Sequence, residues 1–141
     1  MADLLQFPTA LKQARSRRGL MQKTVAAKLN VDPTLLCSAE RGARGPLDAQ
    51  ALSKLAAFLD LSPLEAEELN WAARHDRAIG ALRRLGLNET ELSAISAILA
   101  ALYGLQGDQQ IGLIDYCRQV GQSARLVKSL TPNPLHREAL T

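Results

Sequence analysis

One short segment of the chain carries a polar stripe that could bind the edges of nucleic-acid bases. Thr34, Ser38 and Arg41 recur at positions i, i+4 and i+7, which lie on one face of an α-helix. Hydroxyl groups can bind almost any base edge, whereas an arginine can reach guanine or a phosphate, and the adjacent Leu35 and Cys37 could contact a thymine methyl group. Because the segment holds no Asn or Gln for adenine, we expect modest base specificity, with much of the binding carried by phosphates and DNA shape.

This stripe requires a scaffold, and residues 22–41 predict two short helices joined by a tight turn. The first helix needs an inward apolar stripe, which Val25, Ala26 and Leu29 supply at helical spacing. Ala26 lies where the second helix passes closest, so only a small side chain fits there. The chain must then leave the helix through a left-handed residue, a position held most often by Gly and next most readily by Asn. Asn30 stands at that position, directly after the stripe.

The turn and the second helix meet equally specific demands. Val31 is expected to fill the space under the turn. Asp32 is a good N-cap, and Pro33 follows at the first helical position, where a missing N–H costs nothing. Leu36 and Ala39 then face inward. An ordinary helical hairpin would share the apolar stripe but would have no reason to combine it with these turn and cap residues, so a helix-turn-helix unit is favoured.

Residues 7–62 resemble the Cro and lambda-repressor type of helix-turn-helix domain, often called the XRE family. The chain departs from the family pattern at Met21, where Ser or Thr usually caps the second helix, and at Pro33, where many relatives carry a Gln that contacts DNA. Relatives have an internal ion pair where Arg15 and Glu40 stand, and we interpret this pair as structural. The resemblance rests on Leu11, Arg15, Gly19, Leu20, Gln22, Ala26, Val31, Leu36, Glu40, Gly42, Pro46, Leu52, Leu55, Ala56 and Leu59.

The resemblance also implies where the DNA backbone would be bound. Gln22, at the start of the second helix, matches the family position that holds a phosphate. Lys23 and Arg44 flank the groove and are expected to contact phosphates too, helped by the helix N-termini. Arg18 is a further candidate for a phosphate contact, with an ordinary solvated charge as the alternative.

The charge distribution agrees with this placement. Residues 1–60 carry nine basic and five acidic side chains, whereas residues 61–141 carry eight basic and nine acidic ones. The positive potential is therefore concentrated on the part that contains the helix-turn-helix pattern, as expected for a surface that meets phosphates. Aromatic residues are scarce, which favours helices over sheets.

The remaining sequence predicts further helices. A fourth helix spans about residues 48–59, and a capping box at Ser62 begins a fifth, which Gly80 is expected to break or bend. A second capping box over residues 88–91 begins a sixth helix, and Asp108 can cap a seventh. Both of these last helices carry an apolar stripe.

The predicted fold is all-α: a five-helix lambda-repressor-like helix-turn-helix domain over residues 1–79, a C-terminal helical hairpin over 80–130 and a flexible tail over 131–141. The hairpin carries more apolar surface than two helices can hide. It either packs back on the first domain or pairs with a second subunit, and its small residues, which permit close helix approach, favour a homodimer. The predicted interface consists of Leu92, Ile95, Ile98, Leu99, Leu102, Ile111 and Ile114.

These features predict a transcriptional regulator that binds double-stranded DNA. The simplest form is a repressor that occupies an inverted-repeat operator as a homodimer, because one unit contacts only a few base pairs. One alternative is the antitoxin of a toxin-antitoxin pair, whose C-terminal helices would bind a toxin. Another is a helical adaptor that has the fold without using DNA.

Other chemistry finds little support in the sequence. His75, on the polar side of the fifth helix, and His136, in the tail, are isolated, and neither cysteine belongs to a metal-binding motif, so we expect no catalytic site, no metal and no cofactor. Cys37 could make DNA binding sensitive to oxidation, although a groove-lining or semi-buried residue is the simpler interpretation. The absence of a long apolar run predicts a cytoplasmic protein without membrane contact.

Overall fold

A computed structural model describes residues 4–130, and every regular element in that range is an α-helix. This confirms the all-α class. The tail predicted over residues 131–141, with His136, lies outside the described residues. The helices are α1 (Phe7–Ser16), α2 (Gln22–Leu29), α3 (Pro33–Glu40), α4 (Ala49–Phe58), α5 (Pro63–Arg84), α6 (Glu89–Gly104) and α7 (Gly107–Leu130).

The turn between α2 and α3 is built as the sequence predicts. Asn30 ends α2 in the left-handed conformation, with φ 56° and ψ 44°. Asp32 caps α3, since its carboxylate accepts the Thr34 N–H at 2.7 Å, and this bond lowers the pKa of Asp32. Met21 gives α2 no side-chain cap. The first N–H groups of α2 are therefore not capped by their own N-cap side chain.

The inward residues of the first four helices meet in one core. Val25, Ala26 and Leu36 are fully buried, which confirms the close approach of α2 and α3 at Ala26. The inner face of α5 completes this core, since Ala72 and Ala73 are also buried in it. The other buried members are Phe7, Leu11, Ala14, Leu29, Ala39, Leu47, Leu52, Leu55, Leu59 and Leu69.

Helix α5 continues past the point where a break was expected. Ser62 begins it with the predicted capping box, in which Ser62 and Glu65 each accept the other's backbone N–H. The helix then runs unbroken through Gly80 to Arg84, because a Gly inside a helix costs only about 1 kcal/mol relative to Ala, which tertiary packing can offset. The chain divides into two compact units, one through residue 100 and one from residue 101.

Most of the large hydrophobic side chains that are exposed among residues 4–130 lie in the second unit. Helix α7 is 24 residues long and has no buried residue. Within this unit, Gln110 Nε2 donates to the carbonyl oxygens of Leu102 and Leu105, which ties the first turn of α7 to the end of α6. No helix among the described residues is both long and apolar enough to cross a membrane.

Candidate nucleic-acid interface

A buried carboxylate connects the first three helices beneath the predicted groove-facing surface. Glu40, at the end of α3, accepts a hydrogen bond from Arg15 Nε at 2.6 Å and another from Arg15 Nη2 at 3.2 Å. Its second oxygen also accepts from the Gln22 side-chain amide. The Glu40 side chain is only 3% exposed. One carboxylate thus positions both α1 and the residue predicted to hold a phosphate at the start of α2.

Helix α3 divides into an inner and an outer side, largely as the sequence predicts. Thr34 and Arg41 are exposed, and Ser38 and Cys37 are partly exposed. Leu35 differs from the expectation of a free groove contact, because it is half-buried and packs against the core. The polar stripe is therefore accessible along its length.

Besides Gln22, three phosphate contacts were predicted; two of these side chains are exposed, and the third is bound by a carboxylate. Lys23 and Arg44 are exposed. Arg18 instead pairs with Glu65, because its Nη1 and Nη2 each lie 3.0 Å from a carboxylate oxygen. Its Nε also donates to the carbonyl oxygen of Leu59. The sequence expectation for Arg18 is thereby corrected: its donors join the end of α1 to the start of α5, because a carboxylate at that helix N-terminus outcompetes solvent for the guanidinium.

This ion pair predicts part of the acid sensitivity of the fold. Hydrogen bonds from Arg18 and from the Ser62 N–H lower the pKa of Glu65 from 4.5 to about 2. A folded-state pKa below the unfolded one gives stability that is complete above about pH 5 and is lost as the pH falls towards 2. We expect Glu65→Gln to lose less stability than the wild type between pH 5 and pH 2, measured by urea unfolding at several pH values. Glu67→Gln, a neighbouring exposed carboxylate, should keep the wild-type profile; a flattened profile for Glu67→Gln as well would contradict the assignment.

Comparison with protein families decides what this arrangement is. Residues 6–69 match a family model described as a helix-turn-helix domain. This segment is a helix-turn-helix domain. The match begins at the N-cap of α1 and ends inside α5, and is consistent with the XRE-like resemblance. No curated protein and no solved structure matches the chain. In DNA-binding domains of this kind the second helix of the pair enters the major groove, and α3 is the helix that occupies the corresponding position here.

A buried polar network behind the helix-turn-helix domain was missed from the sequence. His75 is not on a polar, exposed side of α5 but is only 3% exposed. Its Nδ1 lies 2.8 Å from Asp76 Oδ1 and its Nε2 lies 2.8 Å from Ser96 Oγ. A carboxylate can only accept, so Nδ1 donates to Asp76, and in a neutral imidazole this tautomer leaves Nε2 to accept from the Ser96 hydroxyl. This network joins α6 to α5.

Asp76 also caps α1 from a distance. Its two carboxylate oxygens accept the backbone N–H groups of Gln6 and Phe7, each at 2.8 Å. Gln6, the N-cap residue of α1, supplies no side-chain cap of its own. The contacting residues are 69 and 70 positions apart in sequence, so no local cap pattern could reveal the bond. The only sequence signal was an adjacent His and Asp between two arginines in the middle of the predicted fifth helix.

The predicted dimer residues fall into three groups: one buried, three exposed and three partly buried. Leu92 is fully buried inside the first unit, which corrects its assignment to an interface between subunits. The stripe of α6 turns its first residue inward because His75 binds Ser96 one turn later. Ile98, Ile111 and Ile114 are exposed, and Ile95, Leu99 and Leu102 are partly buried. Within residues 4–130, no group of His, Cys, Asp and Glu side chains is arranged to hold a metal ion.

Proposed function

We propose that this chain is a sequence-specific DNA-binding transcriptional regulator, most simply a repressor that occupies an operator. The observation that carries the proposal is the division of α3. Its inner side buries Leu36, Ala39 and Glu40, while Thr34 and Arg41 are left to solvent. A helix held so firmly from behind, with a polar outer stripe, suits insertion into the major groove.

The start of α2 supports the phosphate-binding part of the proposal. The amide of Gln22 is held in place by Glu40, and the exposed Lys23 follows it. The Met21 side chain does not cap the first turn of α2. Uncapped N–H groups at a helix N-terminus attract anions. Arg44, four residues after α3, would provide a second backbone contact on the other side of the recognition helix.

The proposed regulator acts as a homodimer on an inverted repeat. An eight-residue recognition helix contacts only a few base pairs, so two copies related by a two-fold axis are needed for a site of useful length. The exposed apolar side chains Ile98, Ile111 and Ile114 support an interface in α6 and α7. The exposed apolar side chains of α7 also favour one second candidate, an antitoxin-type regulator whose C-terminal helices bind a protein partner such as a toxin. Its test is whether a partner copurifies with the chain.

Selection of bound sites from a random DNA pool tests the proposal. The wild type should enrich two half-sites in inverted orientation, with centres about one helical turn, or 10 base pairs, apart. Arg41→Ala and Ser38→Ala should change the preferred bases, because these side chains face the groove. Gln22→Ala should instead weaken binding to all sequences by a similar factor, because a phosphate carries no sequence information.

Two results would contradict parts of this proposal separately. If the wild type bound no duplex even at low ionic strength, the helical adaptor would replace the regulator. If Arg41→Ala and Ser38→Ala selected the same sites as the wild type, α3 would not be the base-contacting element. Enrichment of a single half-site, without an inverted second half-site, would contradict the homodimer and leave the rest of the proposal intact.

A further inference from the structure

A cleft of about 220 Å³ opens beside the predicted recognition helix, entirely within the first compact unit. Its walls come from the start of α1, from the loop that follows α3 and from the last turns of α5. The loop contributes Gly42, Arg44 and Gly45, and α5 contributes Asp76, Gly80 and Arg84. Three of these wall residues are glycines, so the cleft is lined partly by bare backbone.

The cleft is lined by two exposed arginines that have no hydrogen-bond or ion-pair partner among residues 4–130. Arg44 and Arg84 make no hydrogen bond and no ion pair within residues 4–130, whereas Arg15 and Arg18 are held by carboxylates. The Arg84 side chain lies back over its own helix, since a Cβ placed on Gly80 would lie 3.6 Å from Arg84 Nη1. The Arg84 guanidinium therefore lies against the Gly80 backbone, along the cleft wall.

The one acidic residue of the cleft forms no direct ion pair with either arginine. Both oxygens of Asp76 accept backbone N–H groups of α1, and one of them also binds His75. Because these donors occupy the Asp76 carboxylate, which is only 5% exposed, the two guanidiniums keep their own donors for another anion. Paired arginines bind phosphate oxygens well, because each planar guanidinium can donate two parallel hydrogen bonds.

We propose that Arg44 and Arg84 together bind one phosphate of the DNA backbone in this cleft. The proposal rests on the function proposed above and adds α5 to the DNA-contacting elements. DNA is the ligand we commit to because Arg44 lies only four residues beyond the recognition helix, so a duplex whose groove held α3 would bring its backbone to this loop. Free phosphate shares the same chemistry, and the test below separates the two sources.

The salt dependence of DNA binding tests the role of Arg84. Binding of the full chain to a labelled duplex is measured by fluorescence anisotropy between 50 and 200 mM salt, for the wild type, Arg84→Gln and Arg44→Gln. Each variant should lower the slope of log K against log salt by up to about 0.9, the value expected when one phosphate contact is lost completely. The matched control is Arg74→Gln, which removes the same charge from an exposed position of α5 outside the cleft and should leave the slope nearly unchanged.

A second measurement uses inorganic phosphate in the absence of DNA. Phosphate should shift the backbone amide resonances of Gly45 and Gly80 saturably in the wild type, and the shifts should disappear in Arg84→Gln. Shifts without any change in the DNA slope would overturn the proposal in favour of a site for free phosphate. Equal slopes for Arg84→Gln and Arg74→Gln would overturn it whatever the phosphate result. If the wild type bound no duplex, the proposed function itself would fail, and this result is distinct from a failure of Arg84 alone.

Discussion

Replacing Asp76 by alanine should lower the free energy of unfolding by about 4 kcal/mol, well above the loss expected for an ordinary helix cap. Asp76 accepts the N–H groups of Gln6 and Phe7 and binds His75 Nδ1. Phe7 and His75 are almost completely buried, at 1% and 3% exposed. Each buried donor left without an acceptor costs about 1–3 kcal/mol, because neither the protein nor water replaces the lost bond.

The matched control is another aspartate that caps a helix. Asp48 accepts the Ala51 N–H at 2.8 Å at the start of α4, but it is exposed, so water can replace it. Asp48→Ala should cost only about 1 kcal/mol, the usual value for a local N-cap. Urea unfolding followed by circular dichroism measures both variants. Equal losses for Asp76→Ala and Asp48→Ala would mean that the network of Asp76 contributes no more than an ordinary cap.

Replacing Glu40 by alanine should cost about 3 kcal/mol and should also weaken DNA binding. The side chains of Arg15 and Glu40 are 14% and 3% exposed, and removing the carboxylate leaves the guanidinium poorly compensated. The same substitution removes the acceptor that orients the Gln22 amide. Stability and affinity should therefore fall together, measured by urea unfolding and by anisotropy with a duplex.

An exposed pair on the same protein provides the comparison. Arg83 and Glu89 approach to 3.2 Å, but their side chains are 46% and 41% exposed. Because solvent screens such a pair, Glu89→Ala should cost no more than about 1 kcal/mol. The double variant Arg15→Met with Glu40→Met should regain much of the stability lost in Glu40→Ala, since two apolar side chains leave no unpaired charge. Failure of the double variant to recover would show that the loss comes from packing and not from the charge.

Local rules were enough for the helix-turn-helix unit. The left-handed exit at Asn30, the cap at Asp32, the capping box at Ser62 and the buried Ala26 all follow from preferences that act within a few residues. The ion pair between Arg15 and Glu40 came from the family resemblance, and the structure contains it. For these features, the residues that make the structure are close in sequence or belong to a shared pattern.

The C-terminal half was less predictable, because its interactions cross long stretches of chain. Gly80 was expected to divide the protein, yet α5 passes through it and α6 is tied to α5 by His75 and Ser96. The apolar stripe of α6 predicted one continuous interface, but Leu92 at its start is buried. An apolar stripe on a helix indicates that this face will be buried, but it does not indicate which element will cover it.

The sequence alone therefore determined the all-α class, the helix-turn-helix unit and the polar stripe of α3, because helical periodicity, caps and turn residues are local properties of the chain. Only the tertiary structure decided which charged groups remain available. Arg18 forms an ion pair with Glu65, and Asp76 accepts backbone N–H groups of α1, whereas Arg44 and Arg84 line one cleft without a protein partner among the described residues. The physical reason is that charged groups pair according to their distance in space. Because the partners are far apart in sequence, no rule based on residue spacing predicts which groups will be close.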